Sequence, residues 1–218
     1  MKIGTDGVLL GAWADTAAAG SALDIGTGTG VIAIMLAQRT RQARIKGVEI
    51  DRDSYQQARE NMGRSPWSQR LEAIHSAVQD FARTSGERFD LIVSNPPFFS
   101  GGTFSNNHDR NQVRHTIKMP HGDLLAAVRT LLAPEGKFGL ILPLIEGLRF
   151  VELAESYHLY CVRQTEVKPK ESKPVERLLL QFSRKPATMI RDSLIIQEES
   201  GEWTKAYRQL TGAFYLKA

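Results

Sequence analysis

Leu23-Asp24-Ile25-Gly26-Thr27-Gly28-Thr29-Gly30 is the stretch on which the fold turns. Residues 22–25 read as a buried strand, the glycines as a tight turn, and residues 31–38 as a helix. Glycines at such a turn let the backbone bend sharply and approach a ligand with no Cβ in the way. Outward from it the same alternation repeats. Strands are expected at 44–50, 71–75, 89–94 and 137–142. Helices are expected at 53–62, with Asp53 or Ser54 as cap, and at 121–132 and 146–157. This βαβα order predicts a mainly parallel sheet with helices on both faces. Residues 159–167 and 175–183 are β-rich with no helix between them, which predicts an antiparallel pair at the sheet edge. Residues 100–122 lack clear periodicity, and a loop of that length in a compact domain is usually functional.

At 218 residues the chain is read as one domain spanning 1–218. Its 42% hydrophobic and 24% charged residues exclude fibre and disorder. A net charge of +4 permits a nucleic-acid partner without demanding one. The one cysteine, Cys161, excludes an intramolecular disulfide and a Cys-rich metal site, and suits a reducing cytosol. The longest apolar runs, 31–37 and 138–145, fall far short of the roughly 20 residues that span a bilayer. Residues 1–6 carry no apolar segment of a secretory signal, so a cytoplasmic protein is expected. His108, His115 and His121 lie in or beside the long loop, but their spacing is not a helical metal pair, and no metal is expected.

In an open α/β sheet, ligands bind beyond the carboxyl ends of the strands. Position 31 is Val, so the turn reads G-x-G-x-G and not the dinucleotide pattern G-x-G-x-x-G. Asp24 just before it is awkward for a pyrophosphate and suits a ligand with an ammonium or sulfonium charge, such as S-adenosylmethionine (AdoMet). A dinucleotide and a turn without ligand are the competing readings. Glu49 ends the second strand, 19 residues after Gly30, where a carboxylate can accept hydrogen bonds from two ribose hydroxyls or cap the next helix. After the third strand, Asp80 can accept from an adenine amino group and Phe81 can cover the ring; the competing reading is a helix cap and a core residue.

Asn95-Pro96-Pro97-Phe98 is the most specific string in the chain. Two prolines stiffen the turn and end the preceding strand. A conjugated NH2 is a poor nucleophile because its lone pair is delocalised. The Asn95 side-chain oxygen and the Pro96 carbonyl can accept its hydrogens, orient the lone pair and stabilise the charge that develops on nitrogen. Phe98 can stack on the planar group. No strong general base is then required.

Together, Asp24-Ile25-Gly26-Thr27-Gly28, Glu49, Asp80 and Asn95-Pro96-Pro97-Phe98 resemble the Class I AdoMet-dependent methyltransferases that methylate amino groups. A narrower resemblance covers almost the whole chain. Residues 1–13, Arg64-Ser65-Pro66-Trp67 and Ala213-Phe214-Tyr215-Leu216 are similar to the bacterial tRNA1(Val) adenine-37 N6-methyltransferases. The resemblance implies a Rossmann-like, seven-stranded, mostly parallel sheet with its last strand antiparallel. It also implies AdoMet as cofactor and an adenine beside the anticodon of a valine tRNA as substrate. Asp24, Gly26, Gly28 and Glu49 would hold AdoMet, Asp80 its adenine, and Lys2, Thr5 and Asp6 its methionine end. Phe98 stands where many relatives carry Tyr, a change that keeps the stacking ring. The family usually has a basic stretch ahead of this opening block, so Met1 is expected to be an internal methionine of an N-terminally shortened chain. The Asn-Pro-Pro turn is shared with enzymes acting on rRNA guanine, DNA adenine and protein glutamine, which form the alternative substrates. A binding module without turnover is the alternative from another class, and intact Asn95 and Glu49 argue against it.

The positive charge is uneven. Residues 163–191, read as a basic edge hairpin, hold eight Lys/Arg against three Glu. The loop 100–122 holds Arg110, Arg114 and Lys118 against Asp109. Lys168, Lys170 and Lys173, in a Pro-stiffened connector, and Arg110 and Arg114 are the candidate phosphate contacts. A solvated hairpin is the competing reading. An anticodon loop already presents unpaired bases, though the adenine must still turn its amino group into the pocket.

Overall fold

A computed structural model describes residues 4–96 and 120–215. The parallel core of the sheet is formed by β1 (Ser21–Ile25), β2 (Arg44–Glu49), β3 (Leu71–His75), β4 (Phe89–Ser94) and β5 (Leu132–Pro143). It continues through β6 (Tyr160–Lys168), β7 (Arg177–Ser183) and β8 (Ile190–Ile195). The order is β3-β2-β1-β4-β5-β7-β6-β8, and β7 alone among the described strands runs against the rest. The sheet thus has eight strands where seven were expected. The β6–β7 pair is antiparallel as anticipated, but it is not the edge: β8 adds parallel to β6 and takes that place. Ile-Arg-Asp-Ser-Leu-Ile shows little apolar patterning because four of its six residues are exposed, as befits an edge strand whose charges discourage further pairing.

Helices α4 (Val78–Thr84), α5 (His121–Leu131) and α6 (Leu144–Ser156) cover one face, where Phe138, Phe150 and Phe182 pack together. Helices α1 (Thr5–Trp13), α2 (Val31–Arg39), α3 (Arg52–Arg64) and α7 (Lys205–Thr211) cover the other. The opening block forms α1, buried from Val8 to Trp13 between α2, β5 and α7. Helix α3 starts one residue earlier than expected and is capped by Asp51, whose carboxylate accepts from the Ser54 amide. No described helix is long and apolar enough to cross a membrane.

Gly47 in β2 shows how tightly the glycine turn is seated. A Cβ there would stand 2.8 Å from Thr27 Oγ1 and 2.9 Å from Met62 Cε. Thr27 cannot retreat, because its hydroxyl donates to Asp24 at 2.6 Å. Gly47→Ala is therefore expected to cost about 2 kcal/mol, read as a lower denaturant midpoint with an unchanged slope.

Candidate active site

The strand order reverses direction at β1, which has β2 on one side and β4 on the other. A crevice beyond the carboxyl ends of β1 and β4 is where an open α/β sheet takes its ligand. Here Ile25 pairs with Ser94, and the Ser94 hydroxyl donates to the Ile25 carbonyl at 2.9 Å. The Gly26 turn and Asn95 thus leave adjacent strands side by side.

The turn is held by two carboxylates. Gly26, Gly28 and Gly30 have φ of 68°, 56° and 81°, the left-handed region open chiefly to glycine. Asp24, fully buried, accepts through Oδ2 from the Thr27 hydroxyl and from the Ala33 amide at 3.2 Å, in the first turn of α2. Its Oδ1 has no partner among the described residues. Burial pushes this carboxyl up to about 7; the hydrogen bonds from Thr27 and Ala33 pull it down, and the charge of Glu49 adds to the rise. Glu49 accepts from the Gly28 amide through Oε2 and from the Asp51 amide through Oε1, both at 2.9 Å. Each oxygen keeps a lone pair for another donor.

Asn95 Oδ1 is also buried without a partner among the described residues. Pro96 is buried beside it. The start of α1 lies against the same turn, since a Cβ on Gly7 would stand 4.0 Å from Asn95 Nδ2. Asp6 is held from the far side by Arg177 of β7, whose Nε donates at 3.0 Å. Two buried acceptors without donors, flanking a glycine turn, fit a ligand that brings N–H donors and positive charge.

Not every expected residue joins this group. Phe81 faces inward with Val78 from α4 and packs on Phe89, so its ring belongs to the core and does not cover a ligand. Asp80 is exposed in the first turn of α4 and pairs with Arg83 at 3.0 Å. Thr5 is exposed at the start of α1. Lys2, Pro97, Phe98, Arg110 and Arg114, with His108 and His115, lie outside the described residues. Ile50, an exposed apolar side chain directly after Glu49, went unread; its signal was an isoleucine following the acid at a strand end. Among the described residues no group of His, Cys, Asp and Glu could hold a metal. Cys161 is a poor nucleophile, since burial pushes its thiol up to about 11.

The basic stretch 163–191 divides between the two ends of the sheet. At the end away from the crevice, Arg163 pairs with Asp192 and lies 4.6 Å over the Trp13 ring, and Lys185 pairs with Glu135. Arg184 donates to the carbonyls of Arg129 and Leu132. At the crevice end stand Lys168, Lys170 and Lys173. Lys168 is paired with Glu171 at 3.5 Å, and Lys170 donates to the Glu199 carbonyl at 3.0 Å.

The model of the methyltransferase small domain family matches residues 3–141. The chain is 44% identical to the tRNA1(Val) (adenine(37)-N6)-methyltransferase of Actinobacillus succinogenes, over 100% of this chain and 91% of that protein. It is 41% identical to the enzyme of the same name from Pectobacterium carotovorum, over 99% and 88%. Among solved structures, a predicted O-methyltransferase from Agrobacterium tumefaciens superposes with a TM-score of 0.74 at 18% identity, covering 98% of this chain and 99% of that one. The glycopeptide N-methyltransferase MtfA, complexed with AdoMet, gives 0.56 at 13% identity over 75% and 86%. These two likenesses concern the fold.

Proposed function

The chain belongs to the methyltransferase small domain family, and from that premise we propose that it methylates the exocyclic N6 of adenine 37 in tRNA1(Val). Bound AdoMet would supply a methyl group on a sulfonium sulfur, the N–C bond to the amino nitrogen forming in line as the C–S bond breaks and the neutral thioether leaves. The chain's residues do the rest. Glu49 offers its free lone pairs to two ribose hydroxyls, and Ile50 lies beside it as an apolar surface for a flat ring. Asp24, and Asp6 at the head of α1, supply negative charge toward the methionine end, with Lys2 and Thr5 in the same opening block. Asp80 is a candidate for the cofactor's adenine amino group.

Asn95 carries the proposal. Its buried, partnerless Oδ1 is ready to accept from an N6 amino hydrogen, with the Pro96 carbonyl for the second. Accepting both turns the nitrogen lone pair out of conjugation and stabilises the positive charge that grows on it. The methylated nitrogen then releases one proton. Pro97 and Phe98 follow in the sequence, and the Phe98 ring is the group proposed to stack on the base. The choice of tRNA is supported by full-length relatives at 40–44% identity that bear that name. Arg110, Arg114, Lys168, Lys170 and Lys173 are the proposed phosphate contacts.

Mass spectrometry of digested valine tRNA after incubation with AdoMet tests the reading. N6-methyladenosine at position 37 is expected, and its absence with the wild-type protein overturns the proposal. Glu49→Ala is expected to weaken AdoMet about fiftyfold by calorimetry, because it removes two charged acceptors and frees the Gly28 amide.

A further inference from the structure

Trp203 lies outside everything assigned above. It is 39% exposed, tilted against Tyr215 with ring centroids 4.7 Å apart and edge-on to Tyr207 at 5.4 Å. Tyr207 and Tyr215 share a hydrogen bond at 2.8 Å, which stiffens the support under the exposed indole.

A continuous line of contacts joins this ring to Asn95. Gly7 abuts Asn95, and its neighbour Asp6 pairs with Arg177. Arg177 pairs across the sheet with Val167, next to Lys168. The Ile196 amide donates to the Lys168 carbonyl and the Gln197 amide to that of Pro169. Gln197 in turn bridges Trp203. The whole line runs along the carboxyl ends of the parallel strands. From β4 to β8 is four strand steps, roughly 19 Å at about 4.8 Å each. That separation suits an unpaired base a few nucleotides from the one being methylated.

We infer that Trp203, on its Tyr207–Tyr215 support beside Lys168, Lys170 and Lys173, is a stacking platform for an unpaired tRNA base. The inference rests on the tRNA reading above. Glu198, Glu199 and Glu202 sit on the same hairpin; Glu199 accepts from the Ser172 amide and hydroxyl, and Glu202 pairs with Arg208 at 3.7 Å. Net local charge is therefore small, and the indole contributes by stacking, with the lysines adding phosphate contacts. The two contributions separate by salt: stacking is nearly salt-insensitive, whereas each phosphate contact adds about 0.7 to the log–log slope on single strands.

Equilibrium binding of a valine tRNA transcript, without turnover, is the test. Trp203→Ala is expected to weaken binding about tenfold with an unchanged salt slope. Trp203→Phe is expected to stay within about threefold, because a ring remains. Lys170→Glu with Lys173→Glu is expected to flatten the slope. Trp13 is buried and Trp67 partly so, so tRNA is expected to quench emission in the wild type and not in Trp203→Phe. The idea fails if Trp203→Ala binds tRNA like the wild type, or if quenching persists in Trp203→Phe. It also fails if Trp203→Ala instead shifts self-association in sedimentation, which would make the face a contact between copies of the chain. Failure of the catalytic reading shows separately, as wild-type protein that makes no N6-methyladenosine.

Discussion

Asn95→Ala is expected to lower kcat for N6 methylation about a thousandfold while AdoMet binding changes less than threefold. The magnitude is that of deleting one preorganised polar group aimed at charge that develops in a transition state. The separation of the two effects follows from geometry. Asn95 Oδ1 has no partner among the described residues, so the glycine turn does not hang on it. That turn is held by Asp24, Glu49 and the Gly26 and Thr27 amides, which both donate to Val48. Mass spectrometric rates and calorimetry on one preparation check both halves. Equal loss of cofactor binding would make Asn95 a structural residue. Asn95→Asp preserves an acceptor and should retain more turnover than the alanine variant.

The second large effect is a pH dependence centred on Asp24. Burial raises its carboxyl from an ordinary 3.8 to about 7. Between these values the folded chain keeps a proton that the unfolded chain has released. Asp24's contribution to the stability of the cofactor-free protein is therefore full below pH 4, falls as pH rises through this window, and levels off above about 7. The span is about 4 kcal/mol, at about 1.4 kcal/mol per pH unit. Urea unfolding across pH 4–8 should show this decline beneath the titration of other groups, and Asp24→Asn should remove it. A cationic ligand beside Asp24 favours the carboxylate, so AdoMet should bind more tightly as pH rises from 6 to 8 and release a proton. Calorimetry in buffers of different ionisation enthalpy counts that proton. AdoMet affinity that is flat with pH in the wild type would contradict it.

The residues that could be read from the sequence share one property: each is a local string whose chemistry survives without knowledge of its neighbours. The glycine turn, the acid ending β2 and the Asn-Pro turn ending β4 announce themselves by composition and position at strand ends. What could not be read depends on partners distant in the chain. The charge of residues 163–191 looked like one basic surface, but Asp192, Glu135 and Asp6 take up Arg163, Lys185 and Arg177. Phe81 looked available to a ring until α4 turned it inward with Val78. β8 was silent because an edge strand has little apolar face to show, and its charges suit solvent on one side.

Helix α1 is made before most of the elements that hold it. Its Trp13 indole donates to Thr165, 152 residues away, Asp6 reaches Arg177 across 171, and Tyr215 packs on the small cluster that Val8 and Ala12 form with Met35. During synthesis the helix that flanks Asn95 can meet α2 and then β5 early, but its seat is complete only once β6, β7 and the segment through 215 have left the ribosome. Until then part of its apolar surface, Val8, Leu9, Leu10, Ala12 and Trp13, stays uncovered. Contacts of such separation also slow the final closure. A nascent chain halted before residue 177 would thus lack the arginine that holds the start of α1 beside the Asn95 turn.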